Sequence, residues 1–286
     1  VTSGARAGGA GADTEAALVA RLRAAGCVFA EEEAAVLTGA AADAAHLETL
    51  VARRVAGEPL ELVVGQVEFA GLRLRVGPGV FVPRQRTTAM VDEAVALLTD
   101  VVRPRVVDVC CGVGAVGCAV VRRLAHADLA MGDVDPAAVR LAASNLEALG
   151  APTGWRQRLV RVGDLFAAAP DEWRGTVDVC TANAPYVPTH AVALMPRDSR
   201  DHEPLTAVDG GEDGLAVHRR LAAEAPGWLR PGGHLVVEVG ESQVETVSRV
   251  LSEHALSARA VWPDDEGPVV VVATMTFDPA PPRLRA

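Results

Sequence analysis

The hydrophobic pattern changes period twice along the chain. Over residues 14–58 it is helical: in "TEAALVARLRAAG", Ala17, Leu18, Arg21, Leu22 and Ala25 fall on one face, and Gly26 is a stop signal. "AEEEAAVLTGA" and "DAAHLETLVARRVAGEP" predict two more helices, the second with Asp43 as N-cap and Gly57 as terminator. Residues 62–83 alternate instead. Val67, Phe69, Leu72, Leu74 and Val76 flank Ala70-Gly71, which predicts a β-hairpin. From residue 85 onward, short apolar runs ("RVVDVCC", "ADLAMGDVD", "RLVRVGDLF", "TVDVCTANAPY", "HLVVEVG", "PVVVVATMTF") are separated by helical stretches such as "TTAMVDEAVALLTD" and "PAAVRLAASNLEALG". Strands alternating with helices predict an α/β fold with a doubly wound sheet. The organisation expected is a flexible start (1–13), a helical domain (14–60), a hairpin linker (61–84), the α/β domain (85–276) and a tail (277–286).

Composition narrows the function. Half of the 286 residues are hydrophobic but only 3% are aromatic, so alanine, valine and leucine must fill the core. The formal net charge is −10, with no basic stripe, which argues against direct nucleic-acid binding. Five cysteines lack the paired spacing of a zinc site, so no metal is expected, and reduced thiols fit a cytoplasmic protein. "VTSGARAGGAGAD" has no apolar signal region, and no run is long enough to span a membrane. A soluble, monomeric, cytoplasmic protein is expected.

Candidate chemistry gathers at the strand ends. "VVDVCCGVGAVGCAV" places Gly112 and Gly114 between a strand and a helix, where glycine allows a tight turn and close approach of a ligand. Asp133 ends the next strand, positioned for ribose hydroxyls. Those features alone suit a dinucleotide or S-adenosylmethionine equally. Two further carboxylates favour S-adenosylmethionine. Asp108, inside the first strand, suits the ligand's cationic ammonium and sulfonium, and Asp164, in "GDLF", suits the adenine amino group.

The fourth strand ends in Asn183-Ala184-Pro185-Tyr186, which holds the chain's single tyrosine. The Asn183 side-chain oxygen and the Ala184 carbonyl can each accept one hydrogen of a planar NH2 group, and the Tyr186 ring can cover its flat face. An amide or exocyclic amine nitrogen is a poor nucleophile, and holding both hydrogens orients it for methyl transfer without a metal or a strong base. Arg84 and Glu203-Pro204 are candidates for shaping the substrate groove. Residues 186–213 read as an irregular lid whose His190 and His202 are solvated. Glu238, buried by its strand context, requires a partner that the sequence does not name.

The chain resembles the peptide-chain release factor N(5)-glutamine methyltransferase family. The likeness rests on "GEPLELVVGQVEFAGLRLRVGPGVFVPR", "DVCCGVGA", "NAPYVP", "EPLTAVDGGEDGL" and "LRPGGHLVVEVGESQ", which occur in family order. It implies a class I S-adenosylmethionine-dependent methyltransferase core, Rossmann-like, with a helical N-terminal domain that grips the release factor. It also implies methylation of the glutamine in a Gly-Gly-Gln loop. Asp108, Cys110, Gly112, Gly114, Asp133, Asp164, Leu165 and Asn183 would bind the cofactor, and Asn183, Ala184, Pro185 and Tyr186 would hold the glutamine amide. Three departures stand out. Ala184 replaces the first proline of Asn-Pro-Pro-Tyr, Thr88 stands where an acid is usual, and Leu165 stands where some relatives carry an aromatic. The rival readings are an amino-methyltransferase acting on a nucleobase or small molecule, and a non-catalytic S-adenosylmethionine-binding partner protein.

Overall fold

Apolar runs with no polar alternation form strands buried on both faces, as a parallel sheet covered by helices requires. The structure, a computed structural model, describes residues 9–124, 126–150, 157–263 and 267–276. Four helices come first: α1 (Gly9–Ala24), α2 (Ala30–Ala40), α3 (Ala44–Val55) and α4 (Leu60–Val64). They share a small core of their own around Leu22, Ala30, Leu37, Leu50 and Val51. Asp43 caps α3 by accepting from the His46 N–H at 2.8 Å. The hairpin follows as β1 (Gln66–Phe69) and β2 (Leu72–Arg75). Its two-residue turn has Ala70 and Gly71 both at positive φ, the twist that a tight hairpin favours.

The larger unit comprises α5 (Thr88–Leu98), β3 (Arg105–Val109), α6 (Ala115–Arg123), β4 (Asp128–Asp133), α7 (Pro136–Ala148), β5 (Arg158–Val162) and β6 (Val177–Ala182). After these come α8 (Arg197–His202), α9 (Leu205–Val208), α10 (Ala216–Glu224), β7 (Leu229–Val239), α11 (Val244–Ser252), β8 (Leu256–Val261) and β9 (Val269–Met275). The sheet order is β5-β4-β3-β6-β7-β9-β8, with β9 antiparallel to both neighbours and the other pairs parallel. Strand order reverses between β3 and β6, so the loops leaving those strands diverge and open a crevice at the carboxyl edge.

One face of the sheet packs against α5, α6 and α7 through Met90, Val91, Val120, Ala138 and Ala142. The other packs against α10 and α11 through Leu221, Val247 and Leu251, with Phe166 stacked on Trp228 at 5.5 Å. With few aromatics available, each of these buried large side chains carries roughly 1.5–3 kcal/mol of transfer free energy.

Three expectations change. Residues 61–64, read as the start of the hairpin linker, join Leu60 in α4, bounded by Pro59 and by Gly65 in the left-handed region. The stretch expected to be irregular after Tyr186 winds into a 3-10 turn (Thr189–Leu194), α8 and α9. Pro188, Pro196 and Pro204 stand at their N-caps, where a fixed φ starts a helix without losing a needed N–H. The helix α1 begins at Gly9, earlier than the Thr14 start expected. The tail from 277 lies outside the described residues, as do residues 1–8.

Candidate active site

Beyond β3, three residues of five adopt left-handed backbone: Cys110 (φ 51), Gly112 (φ 53) and Gly114 (φ 78). Glycine takes this conformation freely, whereas Cys110 is strained by it. Burial, with Asp133 and Asp108 nearby, pushes the Cys110 thiol up to about 12, so it is a protonated, weakly polar wall. Gly117 is required by packing. A Cβ there would lie 2.8 Å from the Met131 sulfur and 2.9 Å from Asp108 Oδ2.

Asp108 does not present a free carboxylate to a ligand. Its Oδ2 accepts from the Gly117 N–H at 2.9 Å and its Oδ1 from the Thr181 hydroxyl at 2.8 Å, with the side chain almost wholly enclosed. It ties the first turn of α6 to β6 from beneath the loop. Burial raises its pKa to about 7.

Asp133, at the end of β4, accepts from the Gly112 N–H (2.9 Å) and from the Asp135 N–H (3.0 Å), so it holds the glycine loop as well as facing the crevice. Burial raises its pKa. Asp164 pairs with Arg220 of α10 at 2.7 Å, and Leu165 beside it is buried with φ 48. Asn145, buried on α7, accepts from the Arg75 N–H at 2.7 Å and donates to the Arg75 and Val113 carbonyls. It thereby fastens the hairpin to the glycine loop.

At the end of β6, the Asn183 Nδ2 donates to the Thr87 hydroxyl at 3.4 Å, and the Tyr186 hydroxyl donates to Glu238 Oε1 at 3.1 Å. Burial, together with the Glu238 charge, pushes the Tyr186 phenol up to about 12. Ala184 is buried, and no group among the described residues accepts from its N–H. The following carbonyls are tightly backed. A Cβ on Gly210 would lie 2.6 Å from the Pro185 oxygen, and one on Gly214 would strike the Tyr186 oxygen. Arg84 pairs with the buried Glu203 at 2.5 Å and donates to Ser199 at 3.0 Å, which pins α8 beside the crevice.

A cavity of about 630 Å³ joins these groups. Asp108, Cys110, Gly112, Asp133, Asp164, Leu165 and Asn183 through Tyr186 all line it, and Arg86, Thr87, Met195 and Glu203 contribute from the other side. Gly114 is the correction. It is absent from the lining, because it faces inward, where a Cβ would crowd Ala142 and Met131 at 3.1 Å. Its left-handed backbone shapes the loop from behind. No sequence signal marks Thr87 or Gln243, whose chain neighbours are mostly polar, and Asn145 is marked only by its place on an apolar helix; the fold buries all three.

S-adenosylmethionine fits this lining. The Gly112 α-carbon opens onto space that a Cβ would occupy without any contact, and Asp133, which lines the cavity, keeps lone pairs for ribose hydroxyls. The volume lies in the range of small-molecule sites.

The methyltransferase small domain family model matches residues 71–195. The chain is 37% identical over 203 residues to the release factor glutamine methyltransferase of Geobacter sulfurreducens, covering 71% of this chain and 68% of that one. It is 38% identical over 213 residues to the protein of that name from Streptomyces coelicolor, covering 74% and 73%. With that from Bradyrhizobium diazoefficiens it shares 32% over 260 residues, covering 84% and 85%. Among solved structures, the hMettl16 catalytic domain in complex with MAT2A 3'UTR hairpin 6 superposes with a TM-score of 0.56 at 13% identity, covering 83% of each chain. A methyltransferase from Pyrococcus furiosus gives 0.50 at 14% identity, covering 72% of this chain and 90% of that one. At such identities the structural likeness speaks for the fold alone.

Proposed function

This chain belongs to the release factor glutamine methyltransferase family, and from that premise we propose that it methylates the side-chain amide nitrogen of the glutamine in the Gly-Gly-Gln loop of a peptide-chain release factor. When bound, S-adenosylmethionine supplies a methyl group on a sulfonium sulfur, which takes the bonding electron pair as the methyl leaves. Gly112 and Asp133 would hold its ribose side and Asp164 and Leu165 its adenine side, with Cys110 as a wall of the same cavity. Asp108 acts from below by fixing the loop.

The observation that carries the reading is the hydrogen bond from Asn183 Nδ2 to Thr87. With the nitrogen engaged there, Oδ1 is left as an acceptor, and the Ala184 carbonyl supplies a second one. These two acceptors match the two hydrogens of a primary amide. Holding both keeps the nitrogen's lone-pair axis aimed at the methyl group and favours the pyramidal geometry of transfer. Tyr186, fixed by Glu238, covers one face of the amide plane. The −10 net charge supports a protein rather than a nucleic acid as partner.

The test is incubation of the purified chain with S-adenosylmethionine and a release factor, followed by mass spectrometry of the Gly-Gly-Gln peptide. A single methyl on the glutamine side chain is expected. Methylation of RNA or of a small amine, with the release factor untouched, would transfer the reading to that substrate class.

A further inference from the structure

Asp164 and Arg220 form an ion pair that contributes little to the fold. Arg220 Nη2 donates to Asp164 Oδ2 at 2.7 Å, and Glu224, one turn further along α10, faces the same guanidinium at 3.6 Å. The two side chains are 50% and 55% exposed, and a pair so open to water adds little stability. Both nonetheless line the cavity, brought there from the end of β5 and from α10. Their surroundings suit a flat ring. Val217, one turn before Arg220 on the same face of α10, lines the cavity with the buried Leu165. The Gly163 N–H donates to the Asp133 carbonyl at 3.0 Å, so Val134 and Asp164 leave the ends of β4 and β5 side by side. Val134 also lines the cavity and is 58% exposed, a large apolar side chain left open next to two carboxylates. Apolar walls with a few polar groups between them are the composition of a small-molecule pocket.

We propose that the Asp164–Arg220 pair reads the edge of the cofactor's adenine: Asp164 accepts from the 6-amino group, and Arg220 donates to the ring nitrogen N1 beside it. The inference rests on the cofactor placement above and adds to it a residue, Arg220, and a selectivity. A carboxylate only accepts, and a guanidinium only donates. With Oδ2 engaged by Arg220, Asp164 keeps Oδ1, and Arg220 keeps further N–H groups next to it. The pair therefore offers an acceptor beside a donor. The 6-amino edge of adenine offers a donor beside an acceptor, which is its complement. A 6-oxo purine reverses both positions: its O6 opposes the carboxylate, and its N1–H opposes the guanidinium. A pocket that holds adenine through this pair accordingly rejects hypoxanthine, because its own polar groups would be left unpaired. The pair is thus a specificity device, which accounts for a charged pair placed in a cavity wall.

The experiment measures, by calorimetry, the affinity of the purified protein for S-adenosylhomocysteine and for its 6-oxo counterpart, S-inosylhomocysteine. The parent is expected to favour the adenine compound by about 100-fold, as a site built to hydrogen-bond one partner rejects another that cannot match it. Arg220→Met keeps the length and loses the donors. It should bind the adenine compound about 10-fold more weakly and narrow the preference by a similar factor, the loss of one charge-assisted bond. Arg220→Lys, which keeps a charge and a donor, should fall between the two. Asp164→Asn can turn its amide to donate to O6, so it should bind the 6-oxo compound more tightly than the parent does. Melting temperatures of the unliganded variants should match the parent's, since the pair is half exposed. Equal affinity of the parent for both compounds, or an unchanged preference in Arg220→Met and Asp164→Asn, would reduce the pair to a surface contact and overturn the proposal. Equal weakening toward both compounds in Arg220→Met would also overturn it, because Arg220 would then pack in the pocket without reading the base. A parent that binds neither compound would overturn the cofactor placement itself, and this inference with it.

Discussion

The side-chain amide of Gln243 donates to the Tyr186 carbonyl at 2.8 Å and to the Asp213 carbonyl at 3.0 Å, while its Oε1 accepts from the Gly240 N–H at 2.8 Å. One buried residue after β7 therefore ties the end of the Asn-Ala-Pro-Tyr turn to the glycine-rich segment that backs it. Gln243→Leu keeps the bulk and removes all three bonds. It should destabilise the fold by roughly 1–3 kcal/mol for the orphaned buried groups, read as a lower melting temperature. Gln243→Glu should do worse near neutral pH, because a carboxylate would face two carbonyls; equal stability of the two variants would show that the amide donors carry no weight.

Asp133, proposed to bind the ribose, is also a structural group. Sequence position alone suggests that its removal would leave the fold untouched, yet it accepts from two backbone N–H groups of the loop region. Asp133→Ala should weaken S-adenosylmethionine binding by roughly 1–3 kcal/mol and also lower the melting temperature of the unliganded protein. Calorimetry showing unchanged affinity would remove it from the site.

Asn183→Ala separates binding from chemistry. Its side chain donates to Thr87, whereas the glycine loop is held by Asp108 and Asp133. Methyl transfer should fall by about two to three orders of magnitude, as when one preorganised polar contact is lost, while cofactor affinity stays close to the parent value. Turnover at the parent rate would make Asn183 a turn residue and nothing more.

The strand ends and the motif they carry were legible because local signals suffice there. Continuous apolar runs mark buried strands, and Asp133, Asp164 and Asn183 follow them directly. What could not be read was orientation and partnership. From sequence Asp108 reads as facing the ligand, because nothing in a strand's spacing tells whether a residue near its end points over the loop or under it. The Glu238–Tyr186 and Thr87–Asn183 contacts join residues 52 and 96 positions apart, brought together because β7 lies beside β6 and α5 packs across both. Pairing of that kind follows from the sheet order, which local periodicity does not encode.

Asp108 makes a pH prediction with a definite sign. Its folded pKa, about 7, lies above the ordinary carboxylate value, so the folded state holds the proton more tightly than the unfolded chain does. The stabilisation from this group is fully present below the unfolded pKa and declines as pH rises from about 4 through about 7. Asp108→Asn lacks that titration. Its stability relative to the parent should improve as pH rises across this window, measured by denaturant unfolding at several pH values. A constant difference would mean that the two hydrogen bonds from Gly117 and Thr181 outweigh burial and keep the carboxylate ionised throughout.

Ala184→Pro tests the departure from the family motif. The Ala184 N–H has no acceptor among the described residues, so a proline would sacrifice no hydrogen bond there, and Pro185 already biases residue 184 toward extended backbone. The carbonyl that would accept the substrate hydrogen is kept. Against this, Ala184 is buried in the core beneath the turn, where added methylenes can cost about 1–3 kcal/mol by overpacking. The N–H side of the residue decides the balance, because that is where the ring closes and where no bond has to break. Activity on a release factor should therefore be retained or improved, with a modest change in melting temperature. Loss of activity at unchanged stability would mean that the N–H donates to the substrate, and the alanine would then mark a methyl acceptor other than a glutamine amide.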